Sequence, residues 1–90
     1  MKIAFDAAKR DKNFEEKGLD FVRAGEVFDG ATATVRDERK DYGEMRFVTT
    51  GRLDGRIVVV VWTPRGDVRR IISMCKANER EIKKYTATLD

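Results

Sequence analysis

The feature that most constrains this 90-residue chain is the segment Arg56 to Thr63, within which Ile57 to Trp62 are all apolar and four consecutive residues are valine. β-branched side chains lose rotamer freedom in a helix and pack well on a pleated surface. A strand apolar on both faces needs cover on both, so this run reads as a central strand. Leu53-Asp54-Gly55-Arg56 before it has the Asp-Gly signature of a tight hairpin, and Pro64-Arg65-Gly66-Asp67 makes a turn after it. Short turns join antiparallel neighbours. Met45 to Gly51 and Val68 to Met74 are therefore the flanking strands.

The rest of the chain falls into place around this ribbon. Lys2 to Asp6 reads as a short opening strand with Ile3 and Phe5 on one face. Asp6 is placed to cap a helix over Ala7 to Lys17, and Gly18 to end it. Asp20 caps a second helix, Phe21 to Phe28, in which Phe21, Ala24 and Phe28 form a buried stripe. Ala31 to Val35 is a threonine-rich strand, and Arg36 to Gly43 a charged, solvated, mobile loop. Asn78 and Glu81 have capping-box spacing before a last helix with Ile82, Tyr85 and Leu89 on its apolar side. The expected fold is α+β in the order β-α-α-β-β-β-β-α. Its antiparallel sheet would carry two N-terminal helices on one face, with a C-terminal helix beyond the last strand. Part of the other face would stay open.

Length and composition narrow the chemistry. At 10.3 kDa the chain should make one domain over residues 1–90, too small for an enzyme with a separate nucleotide-binding half. The apolar run of six is far short of the roughly 20 residues that span a membrane. The start Met-Lys-Ile-Ala-Phe-Asp has no signal-peptide pattern, so a cytoplasmic location is expected. Cys75 is alone, which excludes an internal disulfide and a multi-cysteine zinc site. With no histidine, triads with a histidine base and most zinc hydrolases are excluded too. No cofactor or metal is called for.

Charge is unevenly placed. Residues 1–51 hold ten Lys/Arg and eleven Asp/Glu, a net of −1; residues 52–90 hold nine and five, a net of +4. Of the 19 basic residues 11 are arginine, whose planar fork of donors matches phosphate. This points to a phosphate-bearing partner, against the plainer reading of a solvated surface. A regular strand would put Val68, Arg70, Ile72 and Met74 on one face and Arg69, Ile71, Ser73 and Cys75 on the other. Each face then has an arginine, and either could be solvated or grip phosphate. Trp62 and Tyr85 read as core, while Tyr42 reads as exposed, a candidate for stacking or partner contact.

Several patterns in order carry a resemblance. They are Phe5-Asp6, Lys9 and Asn13; Gly18-Leu19-Asp20-Phe21, Ala24 and Val27-Phe28-Asp29; then Glu44, Arg46-Phe47 and Gly51. They continue with the β-branched strand, Thr63, Arg65-Gly66, Arg70-Ile71-Ile72-Ser73, Lys76-Ala77, Glu81 and Tyr85. The set resembles the BrnT family of ribonuclease toxins, from bacterial type II toxin–antitoxin pairs. The resemblance implies a RelE-like fold and an endoribonuclease that blocks translation. It implies neutralisation by a BrnA-type antitoxin with a ribbon-helix-helix part, operator DNA being met only through the toxin–antitoxin complex.

RNA can be cut without metal by in-line attack of its own 2′-hydroxyl, if charge on the phosphorane-like transition state is stabilised. Arg65 and Arg70 are the candidate catalytic residues for that stabilisation. Lys9, Arg46 and Lys76 are candidate RNA-backbone or proton-transfer groups. Lysine, glutamate, tyrosine or water must replace the missing histidine as base. The +4 half suggests that the antitoxin covers residues 65–76 and the last helix. Two positions depart from the family pattern. Glu15-Glu16-Lys17 stands where a basic residue and a Lys-His pair are usual, and Cys75 stands where an arginine is usual, which suggests attenuated activity. The alternative function is a non-catalytic nucleic-acid-binding or antitoxin-binding module.

Overall fold

A computed structural model describes residues 2–89, with the side chain of Leu89 outside the described set. The elements are β1 (Lys2–Ala4), α1 (Ala7–Lys17), a 3-10 turn (Phe21–Arg23), α2 (Ala24–Asp29), β2 (Ala33–Arg36), β3 (Phe47–Leu53), β4 (Arg56–Arg65), β5 (Val68–Lys76) and α3 (Glu79–Leu89). The fold is α+β and the order is the expected one. The second helix is split: the segment begins as a 3-10 turn and becomes α-helical only at Ala24.

The capping residues act as their types suggest. Asp6 accepts the amides of Ala8 and Lys9 at 2.9 and 3.1 Å. Asp20 accepts that of Val22 at 3.0 Å. Asn78 and Glu81 exchange reciprocal bonds, each 2.8 Å, which satisfy two free amides at the start of α3. At the β3–β4 hairpin Asp54 and Gly55 both have positive φ, 54° and 77°, as the tight turn demands.

The five strands lie in the order β1-β5-β4-β3-β2. The expectation of an antiparallel sheet needs one correction. β1 runs parallel to β5, with Lys2 opposite Val68, so the sheet is mixed. Two helices and three strands separate β1 from its partner in sequence, and no short turn fixes their relative direction.

A second correction concerns β5. Val61 pairs with Ser73 but Trp62 pairs with Ile71, so Ile72 is an extra residue in a β-bulge. The bulge shifts the phase of every residue after it. Ile71 and Met74, 1% and 0% exposed, therefore share one face, opposite in parity to a regular strand. Arg69 lies on their face; Val68 and Arg70 lie on the other, joined beyond the bulge by Ser73 and Cys75.

The core fills the face carrying Ile71. Phe21, Ala24 and Val27 pack there on Val58, Val60, Trp62 and Met74. The backbone approach is close: a Cβ on Gly51 would meet Val27 Cγ1 at 2.8 Å. Trp62 is core, stacked on Phe47 with ring centroids 5.0 Å apart, and its Nε1 donates to Thr49 Oγ1 at 2.8 Å. α1 packs against β5, where Asn13 Oδ1 accepts the Met74 amide at 3.3 Å.

The other face is partly covered by α3. Its Tyr85 is buried and donates to the Ala31 carbonyl at 2.7 Å, and Arg52 lies over the Tyr85 ring. α3 and strands β2 and β3 line a cleft that includes Val35, Val48 and Thr50. The opposite end of this face, near the β4–β5 turn, carries Thr63, Arg65 and Arg70. Among the described residues no helix is long and apolar enough to cross a membrane.

Candidate functional site

The hairpin register builds the site. β3 and β4 pair Phe47 with Trp62 and Val48 with Val61. Glu44, Met45 and Arg46 lie in the irregular segment just before β3, beside the Thr63–Arg65 end of β4. The Thr63 hydroxyl donates to the Met45 carbonyl at 2.6 Å, which holds this segment against β4. On the other side Thr63 pairs with Arg70 of β5. Thr63 thus has Arg70 beside it on one side and Met45, the neighbour of Arg46, on the other. Arg65 lies one pleat further along the same face.

Glu44 ties two of these arginines together. Its Oε2 accepts from Arg46 Nε at 3.0 Å and its Oε1 from Arg65 Nη2 at 3.0 Å. The Glu44 side chain is 27% exposed, Arg46 25% and Arg65 61%, so the cluster sits at the surface with its carboxylate partly sheltered. The arginine planes are held in place before any ligand arrives. Such preorganised donors are what a developing phosphate charge needs.

Side chains of the loop behind the cluster pair with one another, so the loop is not wholly solvated. Asp37 is 7% exposed and accepts from Arg39 Nε and Nη2, both at 2.8 Å, and from the Tyr42 hydroxyl at 3.2 Å. The Arg39 guanidinium holds the Asp37 carboxyl well below the usual carboxylate range. The Asp37 amide donates to the Arg46 carbonyl at 2.8 Å. Tyr42 is half-buried rather than exposed. Its ring lies under the Arg46 guanidinium, whose central carbon is 4.0 Å from the ring centroid.

Of the five sequence-expected residues, Arg46, Arg65 and Arg70 share one region of one face. Lys9 and Lys76 do not join them. Lys9 is exposed on α1, which packs on β5 from the helix-covered face. Lys76 is at the far end of β5, roughly 25 Å along the strand from Val68, where it lines a separate cleft with Arg23, Asp54 and Arg56. Lys76 follows the parity of Met74, so residues 65–76 do not form one basic surface: the bulge and the pleat divide them between two faces.

Arg69 and Cys75 have other environments. Arg69 lies over the rings of Phe28 and Trp62, 4.1 and 5.1 Å from their centroids, on the helix-covered face. Its Nε is buried without a hydrogen-bond partner. Cys75 pairs with Val59 near the other end of the open face, beside Lys17 and Glu81. Burial pushes its thiol pKa up, so the group is neutral at pH 7. It stands apart from Arg65 and Arg46, and this placement lends no support to attenuation through Cys75.

Glu44 and Tyr42 are the residues that a local reading of sequence underrates. Glu44 stands out in the sequence only within the family pattern. The Asp54-Gly55 turn fixes the pairs of β3 and β4 as far as Phe47 and Trp62, and Glu44, beyond that end, leaves no local signal.

A protein-family model described as a ribonuclease toxin, BrnT, of a type II toxin–antitoxin system matches residues 5–81. No curated protein matches the chain. The matched span begins in the segment after β1 and runs into α3, so it contains Arg46, Glu44, Arg65 and Arg70 together with strands β2 to β5. The chain belongs to the BrnT family of type II toxin–antitoxin ribonuclease toxins.

Proposed function

We propose that this chain cleaves RNA without a metal ion on the sheet face that carries Arg46, Arg65 and Arg70. The observation that supports this reading most is the convergence of Arg46 and Arg65 on Glu44, each at 3.0 Å. An RNA phosphate offers the same anionic oxygens as the Glu44 carboxylate. On binding it takes over donors of Arg46 and Arg65 and releases Glu44. Glu44 then accepts the proton of the 2′-hydroxyl. The 2′-oxygen attacks phosphorus in line, the bond to the 5′-oxygen breaks, and that oxygen takes a proton from water. The products are a 2′,3′-cyclic phosphate and a 5′-hydroxyl. Arg65 and Arg70 stabilise the charge on the phosphorane-like transition state, and Arg46 holds the backbone. Lys9 and Lys76 contribute at most long-range attraction for the strand.

A type II toxin has an antitoxin partner. The partner proposed here is of the BrnA type, with a ribbon-helix-helix part that brings the complex to operator DNA. The proposed compartment is the cytoplasm, where messenger RNA and translation are available. The test is purified chain with single-stranded RNA in the presence of a chelator. Cleavage is expected. RNA retained without cleavage would replace this reading with a non-catalytic binding module. Neither binding nor cleavage would leave only an antitoxin-binding protein.

A further inference from the structure

The loop that precedes β3 encloses a cleft of about 320 Å³ beside the Glu44 cluster. Arg36, Asp41, Tyr42, Met45 and Arg46 are among its lining residues. Phosphate chemistry alone gives this cleft no role. Its lining combines three cations, Arg46 among them, with four carboxylates, the Tyr42 ring and the Met45 thioether. Met45 is 46% exposed and so is open to contact from outside.

The Arg46 cation is held from both sides. The Arg46 guanidinium lies on the Tyr42 ring at 4.0 Å, and its Nε is fixed by Glu44 at 3.0 Å. The Tyr42 hydroxyl is fixed in turn by Asp37, which Arg39 grips through two bonds of 2.8 Å. A guanidinium layered on an aromatic ring offers its outer face to a second π-system. Unpaired RNA bases are bound by stacking on aromatic rings and arginine planes. A cleft of this volume has room for one base.

We propose that this cleft holds the nucleobase of a nucleotide flanking the cut, stacked on the Arg46–Tyr42 layer and resting against Met45. The inference rests on the reading that the neighbouring arginines bind the scissile phosphate. The base and its phosphate then share one continuous site: the face of Arg46 on Tyr42 takes the base, while the edge donors of Arg46, with Arg65 and Arg70, meet the charge. A base stacked on a side chain has left its own helix, so single-stranded RNA is the favoured ligand.

The test uses a short RNA in which one nucleotide at a time is 2-aminopurine. A 2′-deoxy sugar at each candidate cut site prevents cleavage. Stacking quenches the emission of 2-aminopurine. Saturable quenching at one or two adjacent positions is expected with the intact chain and with Tyr42→Phe, which keeps the ring. With Tyr42→Ala and Arg46→Lys the quenching should be lost, and affinity for the oligonucleotide should fall about tenfold. Melting curves on each variant identify any that fail to fold, and the comparison of Tyr42→Phe with the intact chain does not depend on them. Equal emission at every position on binding, quenching retained in a folded Tyr42→Ala chain, or no binding would each overturn the proposal. Cleavage of the all-ribose RNA by the same preparation is scored separately. Cleavage without position-dependent quenching defeats the base cleft and leaves the phosphate reading standing. Quenching without cleavage does the reverse.

Discussion

Arg65 and Glu44 meet across the sheet: Nη2 of the arginine donates to Oε1 of the glutamate at 3.0 Å, although 21 residues separate them. Glu44 lies three residues before β3 begins, and Arg65 is the last residue of β4. A carboxylate between two arginines orients both and can later accept a proton. Glu44→Gln keeps the shape and one acceptor oxygen but removes the charge. Single-turnover cleavage should fall about 10²–10⁴-fold, the range for a lost general base. RNA binding should persist or tighten, because a negative charge has left the site. Undiminished cleavage would remove Glu44 from the chemistry.

Adjacent arginines should separate into two roles. Arg70→Ala is expected to cost about 2.7–4 kcal/mol in cleavage, the loss of one preorganised donor, with the melting temperature little changed. Arg69 faces the core side, against Phe28 and Trp62. Arg69→Ala should lower stability by about 1–2 kcal/mol through lost cation–π and packing contact, and leave the rate of the folded fraction near normal. Denaturant curves and cleavage rates on both variants check this. The opposite pattern would mean that the faces are exchanged.

Asn13 supports β5 from α1. Its Oδ1 accepts the Met74 amide and its Nδ2 donates to the Leu19 carbonyl at 3.0 Å. Met74 is 0% exposed, so Asn13→Ala leaves a buried amide unpaired. A loss of about 1–3 kcal/mol in urea unfolding is expected. A change within error would show that water reaches the site.

The Asp37 carboxyl is held low by Arg39, with its pKa depressed in the folded state. A depressed carboxyl stabilises the fold above its unfolded value of about 4, and loses that contribution as the pH falls through the folded value. Melting curves of the intact chain and Asp37→Asn should therefore differ most near neutrality. The gap should narrow steadily below about pH 4. A gap constant down to pH 2 would contradict the Arg39 pairing.

Cys75 should be silent in the chemistry. Its thiol is neutral at pH 7 and lies near Lys17 and Glu81, at the opposite end of β5 from the β4–β5 turn. Cys75→Ser should leave the cleavage rate within about twofold. A large gain with Cys75→Arg would revive the idea that this position limits activity.

The sequence is legible where local chemistry decides. Asp6, Asp20, Asn78 and Glu81 cap as their side chains suggest, and Asp54-Gly55 makes the hairpin. Long-range geometry is less legible. β1 has three residues and no turn to its partner, so its parallel direction leaves no local trace. The Ile72 bulge leaves none either, because Ile71-Ile72 fits both faces of a regular strand. That one extra residue reassigns Met74 and separates Lys76 from Arg70. The loop at Arg36–Gly43 looks solvated by composition, and only the fold shows Asp37 buried beneath Arg39 and Tyr42.

The most direct test identifies the ends of the cut RNA. Single-stranded RNA incubated with the purified chain and excess chelator should yield 2′,3′-cyclic phosphate and 5′-hydroxyl termini. Under the same conditions a folded Arg65→Ala, Glu44→Gln double variant should leave the RNA whole. Dependence on added metal, 5′-phosphate termini, or undiminished cutting by the double variant would contradict metal-free cleavage at the Glu44–Arg65 face.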